Sequence, residues 1–441
     1  MDHIVLKPGQ RFISRPGDSV RVNSVIENGF SITIEDNNIR VYDRSRAVGA
    51  PNGLAGMVPT ACVIPGLGVY SITYWDDVPE RGDNRYHLQS LWFDSTFEDQ
   101  GAHWTDLTVA TAPPLWGTTS QQKNPIAYVD TSRNTEIVLW NSTLRLGGGT
   151  GDVMGHWYSR SPNQEAGVDN LTSVAGLDNQ AWSGEFSNAV GYYSPADDTH
   201  HVIFIREANW HILELFWTGN SRVQQGGDLS GHALGDPAPG ANSLGSAFIG
   251  AQGVNIVLYR GDDSHIHSLY WKGTDDPRHD NLSYIAGTPL ARRYAFSPHY
   301  SPDPVGYYTA HNDTHQVVYR GVDEHLYELY WQGNERVIGW DITDRTTGAP
   351  LASYPVCNFT AYYSAGTNTK HVIYVTDDNH LHDITWPPGR PDTVRTEHFD
   401  LTTLGLPALA HGRPAAFTIE GPNTQHVAYR GGDNHIYEVI W

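Results

Sequence analysis

The feature that most limits what this chain can fold into is a phrase written five times. His315–Trp331 reads HQVVYRGVDEHLYELYW. The same phrase returns as His426–Trp441 (HVAYRGGDNHIYEVIW), Asn255–Trp271 (NIVLYRGDDSHIHSLYW), His371–Trp386 (HVIYVTDDNHLHDITW) and His201–Trp217 (HVIFIREANWHILELFW). Each copy is a β-rich run, a tight turn, a second β-rich run and a closing tryptophan. A unit this short cannot bury both of its apolar faces by itself, so the copies must stack on one another.

The segments between the phrases obey the same grammar. A short segment containing Asp and a β-branched or Leu residue follows the phrases or their neighbours six times: Trp104–Thr108 (WTDLT), Val168–Thr172 (VDNLT), Gly227–Ser230 (GDLS), His279–Ser283 (HDNLS), Trp340–Thr343 (WDIT) and Phe399–Thr402 (FDLT). A Gly/Pro/Ala connection comes next, then a run such as Gly191–Ser194 (GYYS), Gly306–Thr309 (GYYT) or Ala361–Ser364 (AYYS). Four short strands per period is the content of one propeller blade. Two weaker copies, Gly68–Trp75 with Tyr86–Trp92 and Glu136–Trp140 with Asp152–Trp157, complete the set. The closing tryptophans are then Trp92, Trp157, Trp217, Trp271, Trp331, Trp386 and Trp441, which predicts seven blades.

The last period stops at Trp441, one strand short. A spare strand stands upstream of the first phrase, Ile39–Asp43 (IRVYD), and its follow-on Ala47–Pro51 (AVGAP) resembles Thr346–Pro350 (TTGAP). The expectation is an all-β, seven-bladed propeller over 37–441, closed by a strand near 38–43 that completes the last blade. Closure removes the unpaired edges an open array would leave. Residues 1–36 do not match the repeat. Ile4–Leu6, Ser19–Val25 and Phe30–Glu35 read as three strands separated by Pro-Gly and Asn-Gly turns, a small β extension.

Composition excludes several functions. The net charge of -21 leaves no basic footprint for nucleic acid. No apolar run is long enough to span a bilayer, and no signal peptide is visible, so the expected location is cytoplasmic or reached by non-classical release. Cys62 and Cys357 fall in different repeats and read as small buried side chains rather than a disulfide.

Within the phrase, alternation puts His325, Tyr327, Leu329 and Trp331 on one face and Leu326, Glu328 and Tyr330 on the other. Asp263, Asp323, Asp378 and Asp433 fall in the turn, where a carboxylate accepts backbone N–H groups. His211, His265, His325, His380 and His435 follow, one per blade. A ring keeps them apart, so no metal or other cofactor is expected of them. Arg206 with Glu214, Arg320 with Glu328 and Arg430 with Glu438 stand on the two strands of one hairpin near a closing Trp, whereas Arg260 meets Ser268 and Asp383 meets Val375. One reading is a cross-strand ion pair. The other is a sugar pocket, in which a guanidinium and a carboxylate grip hydroxyls while an aromatic ring stacks on the apolar sugar face.

The phrase HVxYRGxDxHIxELxW in a single ring resembles the seven-bladed propeller lectins of the Photorhabdus type. It is similar, more distantly, to six-bladed fungal fucose-binding lectins and tectonin-type propellers. The resemblance covers roughly 38–441 and is strongest from about 184 onward. It implies pockets between adjacent blades, each with Arg, Glu and an aromatic ring, at Arg206/Glu214/Trp217, Arg320/Glu328/Trp331 and Arg430/Glu438/Trp441. Arg260 and Trp271 form an incomplete copy, while Trp75, Trp140 and Val375 stand in place of the Arg elsewhere. The implied function is a multivalent, non-catalytic lectin for glycans or glycoconjugates, with fucosylated or O-methylated sugars as the ligand class. The alternative is a propeller enzyme, a polysaccharide lyase or small-molecule cyclase, with one site on a face or in the channel and His103, His156 and Tyr158 as members. Self-association through the 1–36 extension is compatible with the lectin reading.

Overall fold

The computed structural model describes residues 2–6, 19–26, 29–35, 40–53, 58–76, 87–94, 103–111, 124–143, 150–159, 165–182, 189–234, 238–292, 304–353, 359–389, 395–404, 406, 412–420 and 423–441. Seven antiparallel sheets follow one another, six of them built on four consecutive strands in order and the seventh on the last three strands. Blade five is typical: Val305–Thr309, Thr314–Arg320, Leu326–Gln332 and Ile338–Asp341. Blades one to four span 60–106, 126–170, 190–228 and 241–281; blade six spans 359–400. Blade two adds a short fifth strand, Ala181–Trp182, on its third. The first strands of the blades touch their neighbours all the way round, and Thr60–Ile64 contacts both Ile126–Asp130 and Ala415–Ile419, so the ring is closed.

Closure comes from the spare strand. Arg40–Asp43 pairs antiparallel with Ile436–Ile440, Val41 opposite Val439, and completes blade seven beside the chain's own last residues. The extension is a separate three-stranded sheet of Asp2–Leu6, Gly29–Glu35 and Ser19–Ile26, with Gly29–Glu35 in the middle.

The recurring Asp/Asn-aliphatic-Ser/Thr segment proves to be the latch of every blade. Its hydroxyl accepts the backbone N–H that opens the third strand: Leu88 to Thr108, Val153 to Thr172, Ile212 to Ser230, Ile266 to Ser283, Leu326 to Thr343, Leu381 to Thr402 and Ile436 to Ser45. The acid or amide two residues earlier accepts a backbone N–H from the turn that follows, as Asp341 does from Asp344 and Asp43 from Arg46. In five blades the same acid takes the imidazole that precedes the third strand: His87–Asp106 at 2.7 Å, His211–Asp228 at 2.7 Å, His325–Asp341 at 2.6 Å, His380–Asp400 at 2.8 Å and His435–Asp43 at 2.6 Å. Blade four substitutes His265–Ser283. Blade two inverts the scheme, with Asp152 accepting from Asn170 and Thr172.

The likeness of AVGAP to TTGAP also has a physical basis. The Pro51 carbonyl accepts from the Tyr74 hydroxyl of blade one, and Pro350 accepts from Tyr374 of blade six, which buttons each connection onto the next blade. In the turns, Asp263, Asp323, Asp378 and Asp433 accept the N–H two residues on. The residue between, Ser264, Glu324, Asn379 or Asn434, takes a left-handed backbone conformation.

Apolar clusters fill the spaces between blades, so both faces of a blade are buried. One joins Val318, Leu326 and Trp340 of blade five to Phe359, Tyr374 and Trp386 of blade six, with Trp340 and Trp386 edge to face at 5.7 Å. Cys62 is a free, buried thiol 3.2 Å from the Ser71 hydroxyl; Cys357 lies outside the described residues.

The ladders correct two positions of the repeat. The closing residue pairs with the second residue of the second strand, as Trp217 does with His200 and Trp331 with His315. In blades one and two that rung holds Phe93 and Tyr158, opposite Tyr70 and Glu136; Trp92 and Trp157 sit one residue earlier, on the opposite face. The sequence match followed the indole, whereas the latch residues set the true register.

Candidate ligand pockets between blades

The ladder register decides what each Arg and Glu can reach. Glu214, Glu328 and Glu438 lie opposite Ile203, Val318 and Ala428, while Arg320 and Arg430 stand two rungs away, opposite Leu326 and Ile436. Arg260 holds the same rung, opposite Ile266. Arg206 does not. Ile205 pairs with Ile212, so the blade-three turn is one residue longer and carries Arg206 out of the strand.

The Arg and Glu partners therefore belong to different groups. Arg320 lies 3.4 Å from Glu324, Arg430 donates to Asn434, Arg260 donates to the Arg292 carbonyl at 2.9 Å, and Arg206 is 3.8 Å from Asp228. The glutamates are buried between blades. Glu214 takes His201 at 2.7 Å. Glu328 takes the Lys370 ammonium of blade six at 2.9 Å and the indole N–H of Trp340. Glu438 takes His426 at 2.7 Å and Arg44 at 2.6 Å, with the Tyr70 hydroxyl of blade one at 3.3 Å. Burial would raise the Glu438 pKa, but the bonds from His426 and the Arg44 charge outweigh it and hold the carboxyl below its ordinary value. These acids are filled sites: a buried carboxylate persists only with its charge compensated.

The same place recurs at every blade interface, written by two residues. One is the third-strand rung of blade n: Ser90, Gly155, Glu214, Ser268, Glu328, Asp383 or Glu438. The other is the second-strand residue of blade n+1 that pairs with the closing aromatic: Glu136, His200, Asn255, His315, Lys370, Gln425 or Tyr70. Where the first is Gly155 or Ser268 and the second is His200 or His315, no acid fills the space and a cavity opens. The cavity between blades two and three has a volume of about 440 Å³, and that between blades four and five about 550 Å³.

The two cavities are matching copies. Each has the closing indole half-exposed on one wall, Trp217 or Trp331, with a histidine stacked on it. The His200 and Trp217 rings are 4.5 Å apart and 5° from parallel; His315 and Trp331 are 5.0 Å apart and 15° from parallel. Trp157 or Tyr270 supplies a second aromatic wall, and Asp169 or Asp280 a carboxylate. Trp157 lies flat over Gly167, where a β-carbon would meet the ring at 2.4 Å. A guanidinium enters each from a different element. Arg133 comes from the blade-two inner turn, held by Asp130 at 2.8 Å and Asp198 at 2.6 Å, and Arg278 comes from the blade-four outer strand.

The electrostatics leave both imidazoles neutral at pH 7. Burial lowers the His200 pKa to about 4 against the pull of Asp130, and burial lowers that of His315. Asp130 would be raised by its own burial, yet hydrogen bonds from Arg133 and Ser132 hold it low. Asp280 is raised by burial. The result is a ring face for stacking, bordered by fixed donors and acceptors and by one cation. Such a lining matches a polyhydroxylated ring with one apolar face.

Of the residues singled out in the sequence, Trp217 and Trp331 line the open cavities. Trp271 is buried, and Trp441 is half-buried with its backbone paired to Gln425. The sequence reading missed His200, His315, Trp157, Tyr270, Arg133 and the two aspartates. A signal existed: Ser268 and Gly155 break the acid pattern, and a missing side chain is how a repeat makes room. His103 stacks on Trp92 at the exposed rim, while His156 is buried and Tyr158 packs with Trp75 and Leu107. On the axis, an inner-strand cavity of about 320 Å³ is lined by small residues including Gly191, Gly245 and Gly306, with Arg413 at its wall.

Neither a protein-family model nor a curated protein sequence matches the chain. Among solved structures it is similar to AofleA from Arthrobotrys oligospora, at 9% identity and a TM-score of 0.46 over 81% of this chain and 89% of that one. It is similar to the Aleuria aurantia lectin, a six-bladed fungal lectin described with a fucose recognition mode, at 14% identity and a TM-score of 0.41 over 72% and 90%. It is also similar to the periplasmic gluconolactonase PpgL of Pseudomonas aeruginosa, at 13% identity and a TM-score of 0.42 over 79% and 89%.

Proposed function

We propose that this protein is a carbohydrate-binding protein whose glycan pockets lie between adjacent blades, open at the two-to-three and four-to-five interfaces. The observation that carries the reading is duplication. The same indole–imidazole stack, second aromatic wall and carboxylate occur at two interfaces of one ring, as a multivalent binder requires. A polar ring with one apolar face suits this lining, and the resemblance in the repeated phrase supports fucosylated or O-methylated sugars as the class. The test is a glycan array carrying both sugar types, followed by titration of the best ligand. Trp217→Ala and Trp331→Ala each remove one stacking wall, so each halves the stoichiometry and lowers avidity on a multivalent surface at least tenfold. The double variant loses binding. A double variant with unchanged avidity and an unchanged melting temperature refutes the pockets.

A further inference from the structure

The closing turns of blades four and six share a pattern that blades five and seven lack: Asp263-Ser-His265-Ile-His267 and Asp378-Asn-His380-Leu-His382. Histidines two apart on a strand project to one face, and the turn acid precedes them by two. Counted as one histidine per blade, these residues are too dispersed for a metal. Within one hairpin they are not.

We propose that the blade-six hairpin binds one divalent transition-metal ion, zinc by its donor chemistry, through Asp378, His380 and His382. One donor atom from each lies within 4.8 Å of the others. Tetrahedral zinc places its donors about 3.4 Å apart, so binding draws the three together, and the exposed Asp378 carboxylate is the least confined of them. The hydrogen bonds set the tautomer that ligation needs at His380 and offer a partner for it at His382. His380 Nδ1–H donates to the Asp400 carboxylate at 2.8 Å, which keeps the proton on Nδ1 and leaves the Nε2 lone pair for an ion. His382 Nε2 is 3.1 Å from the Thr376 hydroxyl and its Nδ1 is 3.0 Å from His398 Nε2; an ion on Nε2 takes the place of the Nε2 proton, and the Nδ1–H tautomer that leaves the lone pair free is held by donation to His398. The Thr376 hydroxyl donates to Asp378 and so accepts from His382 Nε2–H until an ion displaces that proton; it stands between the donors as a fourth ligand or the hydrogen-bond partner of a bound water. Carboxylate and imidazole partners behind the ligating histidines are how metal sites fix ring orientation. His382 is buried while Asp378 is open to solvent, which gives an ion both a rigid ligand and a way in.

The neighbouring blades supply the controls. In blade four His267 Nε2 is bonded directly to Asp263 at 2.9 Å, so those two donors are spent on each other. In blades five and seven the His382 position is Tyr327 or Tyr437, whose hydroxyl donates to Asp323 at 2.7 Å or Asp433 at 2.8 Å. Tyrosine is thus a residue this hairpin accommodates, and His382→Tyr removes a ligand while keeping the fold.

The experiment takes the full chain through a chelator and titrates it with zinc chloride by calorimetry. Cobalt(II) serves as a second probe, read by its visible absorption as a tetrahedral centre. The expected result is one equivalent of zinc, affinity at least 100-fold weaker in His382→Tyr, 10- to 100-fold weaker in Asp400→Asn, and unchanged in His267→Tyr. Failure of the stripped protein to take up zinc overturns the proposal. So does undiminished affinity in a His382→Tyr protein of unchanged melting temperature, or loss of the site in His267→Tyr. The glycan pockets do not enter this test, and either reading stands or falls without the other.

Discussion

The ring is held shut by a contact between residues 394 apart in sequence, Arg44 Nε on Glu438 at 2.6 Å, with side chains 3% and 0% exposed. Arg44→Met keeps most of the buried stem and removes the charge. Deleting one partner of a buried ion pair costs about 3–5 kcal/mol, because the other charge stays behind uncompensated. His426 and Tyr70 still reach Glu438, so the expected loss is at the lower end, about 3 kcal/mol. The assay is urea unfolding followed by tryptophan fluorescence. Its pH dependence has a definite sign: the Glu438 pKa is lowered by folding, so its contribution is complete above the unfolded value and is lost as pH falls through the folded one. The gap between wild type and Arg44→Met should close over that acidic range. Arg44→Met combined with Glu438→Gln should recover about half of the loss, since a neutral amide needs no cation. A single variant that loses less than about 1 kcal/mol at pH 7 refutes the clasp as the ring's closure, as does a double variant no better than the single.

Two further outcomes follow from the same interface position. Lys370→Met leaves Glu328 at 0% exposure with only the Trp340 N–H, so it should cost about 3–5 kcal/mol, checked by denaturant midpoint. His200 is buried with a pKa lowered to about 4. The unfolded chain binds that proton below about 6.5 while the folded chain waits, so stability falls as pH drops from about 6.5 to 4, by up to about 3 kcal/mol. Asn255 holds this position in blade four, so His200→Asn should fold and show a shallower loss across the window; an identical slope rejects the assignment.

The fold was legible because its signals are local. The phrase, the latch segment and the unmatched IRVYD each report a bond made within one blade, and the latch hydroxyl recurs in all seven blades. Ring closure was legible as arithmetic, a surplus strand at one end and a deficit at the other. The site was far less so. Alignment by residue type paired Arg206 with Arg320 and Trp92 with Trp217, but hydrogen-bond register, which one extra turn residue shifts, puts Ile205 and Phe93 at those rungs. The cavities are made by two blades at once, and Arg133 and Arg278 reach them from unrelated strands. A pattern read along the chain does not see a partner that arrives from the next repeat.

What distinguishes one interface from another is therefore a two-residue choice on a common frame. Glu328 with Lys370 closes an interface by charge, and Glu438 closes another with the Arg44 that also shuts the ring. At the first interface the acid changes sides, Glu136 of blade two accepting from Thr73 of blade one at 2.9 Å. Gly155 with His200 and Ser268 with His315 leave the space empty. A filled interface stabilises the ring, and it cannot also hold a ligand, because the acid and its counter-charge occupy the volume a ligand would need. The open interfaces are two blades apart in a ring of seven, which sets them about 100° apart around the axis. Cavities so placed face different directions around the ring, and under the proposed carbohydrate-binding function that spacing suits bridging separate chains rather than gripping one residue twice.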